Sequence, residues 1–443
     1  MVERSIIKTA CGLLPRKIEN DLQRAVLERG VLVLTGARQV GKTSIMYRLI
    51  DYLLNKEGVA ESQIMYIDLE FPNILSQLNG LYGEDFLRFL RAHDIDTKKR
   101  AFVFIDEVHY LTNPSSFLKT VHDHYPQIKL IVSGSSTLKI KDKFADSLAG
   151  RKQMYEIFPL DFEEFLDFKG SNLSKRKEEF NIKRMIKSGL PPSLSEVQFI
   201  AAEFAGVFEE YVIFGGHPQV VKTESFEGKR RLLIEIYTSY IRKDIKDFAH
   251  IENISGFNRL IELLANQIGT PINISELSNS VNISRPTVEK YLLLLENTFI
   301  LSLLPPYYRN SRKEIIKSPK VFFHDCGARN AVIGNFEPLG SRMDTGMLFE
   351  NAVFSELYKH RGLAEELHFW RTKSKVEADF VVKGKALVPC EVKYGLKKPK
   401  VTPGLGSFIN AYAPPIAFVI TRDFFAEAAV NETRVFFIPA WAL

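Results

Sequence analysis

Several groups of residues have types and spacings that do chemistry. The first is VLVLTGARQVGKTS, in which Gly36, four further residues and Gly41-Lys42-Thr43 lie between an apolar run and an amphipathic one. Glycines admit backbone angles at which successive N–H groups converge on an anion. A helix starting just after them turns its positive end to the same point. Gly36, Ala37, Arg38, Gln39, Val40, Gly41, Lys42, Thr43 and Ser44 are therefore candidate binders of a nucleotide polyphosphate. Lys42 would set its charge against the β- and γ-phosphates, and the Thr43 hydroxyl would be a ligand to Mg2+. The second group is FVFIDE, with Asp106 and Glu107 at the carboxyl end of an apolar run. Asp106 is the candidate to hold Mg2+ through its water shell, and Glu107 the candidate to polarise an attacking water. The third is Glu350 in GMLFENAVFSEL, Asp379 in VEADFVV, and Glu391-x-Lys393 in LVPCEVKYG. Residues two apart on a strand share a face, so Glu391 and Lys393 project together. Carboxylates that hold divalent ions against a phosphodiester, beside a lysine, suit hydrolysis of that bond. Glu350, Asp379 and Glu391 are the candidate metal ligands here, and Asp379, Glu391 and Lys393 the candidate catalytic groups.

Supporting residues are less specific. IKLIV ends in Ser133-Gly134-Ser135-Ser136, and either Ser133 or Ser135 could sense a γ-phosphate. Arg151, in SLAGRK, is a candidate arginine finger, in cis or from a neighbouring subunit, because a planar and always charged group suits developing phosphate charge. Arg38 reads as part of the loop itself. INISELSNSVNISRPTVEKYLLLLENTFIL (272–301) reads as helix, turn, helix, with Ser284 as N-cap and Pro286 in the first turn of the second helix. That is the pattern of a winged helix-turn-helix, which would offer Arg285, Thr287 and Lys290 to DNA. Arg309, Arg312, Lys313, Lys317 and Lys320 follow as a basic wing against Glu314 alone. Lysines 383, 385, 393, 397, 398 and 400 give the tail a basic rim suited to a nucleic-acid backbone.

These residues need elements to position them. Leu14–Arg29 reads as a helix stopped by Gly30. Val31–Leu34, Gln63–Glu70, Ala101–Asp106 and Ile128–Ser135 read as strands alternating with helices, which implies a parallel sheet covered on both faces. A mostly helical stretch follows. The tail then offers strands at Leu367–Trp370, Glu377–Val382, Ala386–Lys393 and Ile416–Ile420, with helices around Glu350 and near Gly406–Tyr412. The 443 residues suffice for two to four domains at ~100–200 residues each. The expected division is 1–166, 167–335 and 336–443. Hydrophobic residues at 45% and charged residues at 25% exclude a disordered chain. Cys11, Cys326 and Cys390 are too dispersed for a disulfide framework or a metal cluster. No apolar run reaches the ~20 residues of a membrane span, so a cytoplasmic location is expected. The net charge of +6 is too small by itself to imply a polyanionic partner.

GARQVGKT, FVFIDEVH, VSGSS, SLAGR and FPLDFEEF, in that order, resemble bacterial and archaeal AAA-family ATPases that carry a C-terminal domain related to PD-(D/E)xK nucleases. YVIFGGHPQVV, YTSYIRKDI and SPKVFFHDCGARNAV extend the resemblance over nearly the whole chain. It implies an α/β fold: a P-loop NTPase parallel sheet, a helical lid with a winged helix, and a small restriction-endonuclease-like α/β domain. It also implies ATP and Mg2+ as cofactors. Glu377-Ala378 stands where the nuclease motif has a proline before the aspartate. The expected function is Mg2+-dependent ATP hydrolysis coupled to DNA binding, with DNA cleavage as a further activity of the tail. An arginine acting in trans would imply a homo-oligomer. The alternative is an ATP-switched regulatory or scaffold module whose tail only binds nucleic acid or a protein partner.

Overall fold

The computed structural model describes residues 9–10, 12–134, 150–180, 194–240, 251, 253–308 and 318–443. The chain divides into two compact units, Met1–Phe158 and Pro159–Leu443.

The first unit is a five-stranded parallel sheet in the order β2-β3-β4-β1-β5. Its strands are β1 (Val31–Gly36), β2 (Ile64–Asp68), β3 (Ala101–Asp106), β4 (Ile128–Gly134) and β5 (Lys152–Ile157). β1, β3 and β4 are buried along their whole length, as their unbroken apolar runs require of central strands covered on both faces. Val103 and Ile105 of β3 pack on one side with Phe86, Phe117 and Leu118. Along the loop helix Lys42–Asn55, Ile45, Met46, Leu49, Ile50 and Leu53 are likewise buried. β5, with the sequence KQMYEI, is an edge strand, half-buried until Ile157. It has no apolar run, which is why sequence pattern alone passes over it. The parallel register places the loop after β1 and Asp106 at the end of β3 at the same carboxyl edge, where open α/β sheets bind their ligands.

The second unit begins at the FPLDFEEF segment. Asp161 caps the helix Phe162–Phe168, accepting from Glu164 N at 2.8 Å. A long helix, Leu194–Phe214, and the helices Phe226–Tyr240 and Ile254–Asn266 follow. Ile274–Val281 and Arg285–Asn297 are the two expected helices, with Asn282 in the left-handed turn conformation and Ser284 as N-cap. They lead into an antiparallel pair, β6 (Leu301–Leu304) and β7 (Lys320–Phe323). After the helix Thr345–His360 comes a six-stranded mixed sheet in the order β12-β13-β11-β10-β9-β8. These strands are β8 (Glu366–Arg371), β9 (Glu377–Lys383), β10 (Leu387–Lys393), β11 (Ile416–Thr421), β12 (Ala426–Val430) and β13 (Thr433–Pro439). β12 and β13 extend the sheet beyond the four strands read from sequence.

The β6–β7 pair is tied to the edge of that sheet. Tyr307 N donates to Phe369 O at 2.5 Å, and Phe369 N to Pro305 O at 3.1 Å. Phe162, Phe208, Phe349, Phe354, Phe380 and Trp441 share one core, with Trp441 stacked on Phe204 at 4.4 Å. Within it Glu356, fully buried, accepts from the Tyr211 hydroxyl at 2.6 Å and from Phe162 N at 3.1 Å. In GGHP the turn needs both glycines for different reasons: Gly215 has φ +71°, and a Cβ on Gly216 would lie 2.2 Å from Leu160 O. Among the described residues no helix is long and apolar enough to cross a membrane.

Candidate functional site

The loop between β1 and the helix Lys42–Asn55 has the geometry its residues predict, with one difference. Gln39 and Gly41 have φ of 59° and 99°, and such alternation turns successive N–H groups toward one point. Gly36 is not in that conformation. A Cβ there would lie 2.1 Å from Ile157 O, so Gly36 is required by the close approach of β5 rather than by the phosphate. Lys42 is buried, and its Nζ donates to Gly36 O at 3.0 Å and to Ala37 O at 2.8 Å. The ammonium thus rests on neutral carbonyls of its own loop.

Asp106 is the hub opposite. Its Oδ2 accepts from Thr43 Oγ1 at 2.7 Å and from the Tyr66 hydroxyl at 2.9 Å, and its Oδ1 accepts from Ser133 Oγ. Burial, then the Asp106 charge, push the Tyr66 hydroxyl far above its ordinary range, so it stays a donor. Ser133 also accepts from Glu107 N at 3.1 Å. Ser133 therefore braces Asp106 and Glu107. Ser135, the other sensing candidate, lies outside the described residues.

Glu107 sits at φ 54°, a costly angle for a non-glycine residue and a common one where a side chain must be aimed. Its Oε2 lies 3.1 Å from Nδ1 of buried His109. Burial raises the Glu107 carboxyl, but the His109 contact and the charges of Lys42 and Arg38 outweigh it and bring it down to about 2. Glu107 is a carboxylate at any working pH. Tyr66 and His109 were not among the sequence candidates. IMYID and DEVHY carry them, but nothing in a lone Tyr or His marks it as a partner of Asp106 or Glu107.

The two arginine candidates separate. Arg38 is close enough for its charge to act on Glu107 and Tyr110. Arg151 is not brought to the loop. Lys152 pairs with Val31 and Ile157 with Gly36, so Arg151 lies at the opposite end of β1, about 20 Å away at ~3.3 Å per residue. There its Nε donates to Asp123 Oδ1 at 2.7 Å. The reading of Arg151 as a finger in cis does not hold.

The donor set fits Mg2+: a hydroxyl and a carboxylate oxygen 2.7 Å apart are hard ligands that leave the remaining positions to water and phosphate.

The tail residues also come together. Phe380 pairs with Cys390 across β9 and β10, which sets Asp379 beside Glu391, and Asp379 Oδ2 accepts from Val392 N at 2.8 Å. Lys393 Nζ is 2.8 Å from Glu391 Oε1 and 3.6 Å from Asp379 Oδ2, as the two-residue spacing requires. Glu350 reaches the cluster from its helix. Two members were not anticipated there, Lys320 and Glu377: Lys320 Nζ is 3.3 Å from Glu350 Oε1 and 2.5 Å from Glu377 Oε1. Burial, against the pull of Lys320 and with Asp379 adding to it, holds Glu350 above the ordinary carboxyl range. Burial and Asp379 do the same to Glu391 against Lys393. Among the described residues no three His, Cys, Asp or Glu side chains form a group able to hold a metal ion. The expected metal position of Glu350, Asp379 and Glu391 is not assembled.

Of the helix-turn-helix candidates, Arg285 and Lys290 are exposed and Thr287 is half-buried. Arg309, Arg312, Lys313 and Lys317 lie outside the described residues, and Lys320 is only 1% exposed, so it is no part of a solvated wing.

Comparison with known proteins finds likenesses over most of the chain. Residues 206–339 and 345–442 match two domains of unknown function, DUF8612 and DUF4143. An uncharacterized protein of Haemophilus influenzae is 23% identical over 433 residues, covering 96% of this chain and 98% of its own. The uncharacterized protein MJ1544 of Methanocaldococcus jannaschii is 25% identical over 387 residues, covering 86% and 78%. Among solved structures, the Walker-type ATPase PABY2304 of Pyrococcus abyssi aligns at 14% identity and a TM-score of 0.44, over 72% of this chain and 96% of that one. The Aeropyrum pernix ORC1 protein in complex with DNA aligns at 15% identity and 0.31, over 75% and 95%. Residues 28–166, which span the loop, Asp106 and β5, match the AAA domain family, so this part of the chain is similar to an AAA domain.

Proposed function

We propose that this protein hydrolyses ATP at the loop of residues 36–44 and couples that turnover to DNA bound by the second unit. The observation that carries the first half is the approach of Thr43 Oγ1 to Asp106 Oδ2 at 2.7 Å beneath a lysine resting on exchangeable carbonyls. Mg2+, when bound with the nucleotide, neutralises charge on the β- and γ-phosphates. Lys42 moves its ammonium from Gly36 O and Ala37 O onto the phosphates, while the N–H groups of residues 39–43 surround them. Thr43 and Asp106 hold the metal's water shell in place, and Ser133 and Tyr66 fix the Asp106 carboxylate. Glu107 orients the attacking water by accepting its hydrogen bond.

DNA as the partner is supported by exposed Arg285 and Lys290 on the helix after a tight turn, an arrangement that can lay its N-terminal end in a major groove. The tail is assigned no cleavage step. The test is steady-state ATP turnover with and without duplex DNA, for wild type, Lys42→Ala and Arg285→Glu/Lys290→Glu. Turnover that survives in Lys42→Ala rejects the ATPase assignment. DNA stimulation that survives in the double variant rejects the helix as the DNA contact. A second reading, an ATP-switched module with slow turnover, is favoured by the Glu107–His109 contact. It predicts turnover that DNA leaves unchanged.

A further inference from the structure

The resemblance of the tail to metal-dependent nucleases and the placement of Lys320 disagree, and the disagreement is informative. Lys320 comes from β7, not from the tail that supplies the carboxylates. Its backbone is held on both sides: Gly269 N donates to Val321 O at 2.9 Å, and Ile272 N to Pro319 O at 2.9 Å. Its side chain is 1% exposed, with Nζ over the Phe369 ring at 5.3 Å. From there the ammonium meets Glu377 Oε1 at 2.5 Å and Glu350 Oε1 at 3.3 Å, while Lys393 covers Asp379 and Glu391. Four carboxylates thus share two ammonium groups and, at Glu377 Oε2, the guanidinium of Arg371 at 3.5 Å. Gly269 adds a wall: a Cβ there would lie 3.3 Å from either Glu350 oxygen.

Mg2+ binds carboxylate oxygens at roughly 2.1 Å and demands six ligands in octahedral directions. It cannot share Glu350 and Glu377 with an ammonium already hydrogen-bonded to both, since two cations a few ångströms apart in a buried site repel strongly. We infer that Lys320 is the resident cation on the Glu350 side of the tail's carboxylate cluster, taking one of the three expected metal ligands while Lys393 takes the other two, so that the folded protein takes up no Mg2+ or Mn2+ there. The cluster is then a structural joint between β7 and the tail sheet. This inference does not depend on the ATPase reading, and its failure would leave that reading untouched.

The test is Mn2+ titration of the nucleotide-free full chain, followed by the electron paramagnetic resonance signal of free Mn2+. Wild type and Asp379→Asn are expected to bind the same number of ions, because any weak binding near the loop is common to both. Lys320→Met is expected to gain a site at least roughly 100-fold tighter than any cluster-dependent binding in wild type, from loss of a neighbouring like charge. Lys320→Met/Asp379→Asn is expected to lose it again. One more ion in wild type than in Asp379→Asn overturns the inference. A folded Lys320→Met that gains no site overturns it equally. If circular dichroism shows Lys320→Met unfolded, the comparison of wild type with Asp379→Asn decides alone.

Discussion

The loop after β1 and the cluster on the tail sheet use the same residue types, lysine among carboxylates, and reach opposite states. At the loop, Lys42 is satisfied by two backbone carbonyls, while Asp106 and Glu107 are satisfied by hydroxyls and a histidine. Lys42 rests on neutral carbonyls, so it can be handed to an incoming phosphate. On the tail sheet, Lys320 and Lys393 are bonded directly to the carboxylates. Removing an ammonium there uncovers buried charge. A charged cluster is open to ligands when its members are paired with groups that can be exchanged, and closed when they are paired with one another.

The largest effect that would break this contrast is at Lys42. Lys42→Ala should lower ATP turnover by at least roughly 100- to 1,000-fold, as removal of a preorganised charge donor does, with the circular dichroism spectrum unchanged. A melt shifted well below wild type would instead give Lys42 the structural role assigned to Lys320. Lys320→Ala should behave in the opposite way, costing ~3–5 kcal/mol of stability of the second unit by taking the ammonium from Glu350 and leaving Glu377 to Arg371, while turnover per folded molecule is retained. Urea titration followed by Trp441 fluorescence reads it, and a loss below ~1 kcal/mol would mean that the cluster is not closed.

A third expectation concerns a group near that joint. His324 is buried, and burial, then the charges of Lys359 and Arg361, bring it from 6.5 down to about 3. Its folded value is depressed, so its contribution is present above pH 6.5 and fades as pH falls toward 3. Between pH 7 and pH 5 the second unit should lose ~2 kcal/mol through this group. His324→Gln should flatten that part of the pH–stability curve, and an unchanged slope would exclude His324 as its source. Smaller still, His109→Ala should let the Glu107 carboxyl rise and should lower turnover by ~10-fold, the usual scale for a positioning partner. Arg151→Ala should leave turnover of the monomer unchanged. A large loss that appears only in an oligomer would restore Arg151 as a finger from a neighbouring subunit.

Most of the loop site is legible in sequence because it is local: Gly36 to Ser44 are contiguous, and Asp106 ends a run whose burial is evident from composition. Glu391 and Lys393 are legible for the same reason, since a two-residue spacing on a strand already fixes a common face. Contacts made over long stretches of chain are not legible. Lys320 ends a basic run and reads as a solvated wing, yet it is among the most buried lysines of the described residues. Only its pairing with Leu304 and the bridge to Pro271 turn it inward. Glu377 reads as the residue standing near a missing proline, whereas it is the nearest partner of Lys320. The strand β12, AEAAV, has no strongly apolar pattern and is half exposed, so periodicity could not find it.

The place of β1 in its sheet has a consequence for how the protein is made. β1 lies between β4 and β5, pairing residue by residue with a strand that begins only at Lys152. On the ribosome, Val31–Gly36 therefore emerges early and keeps one hydrogen-bonding edge unfilled until some 120 residues later. An apolar strand with an open edge invites pairing with another chain, and such non-local closure is slow. A nascent or truncated chain ending before Ile157 would carry the nucleotide loop without the strand that closes beside it, and would be a substrate for chaperones rather than for ATP.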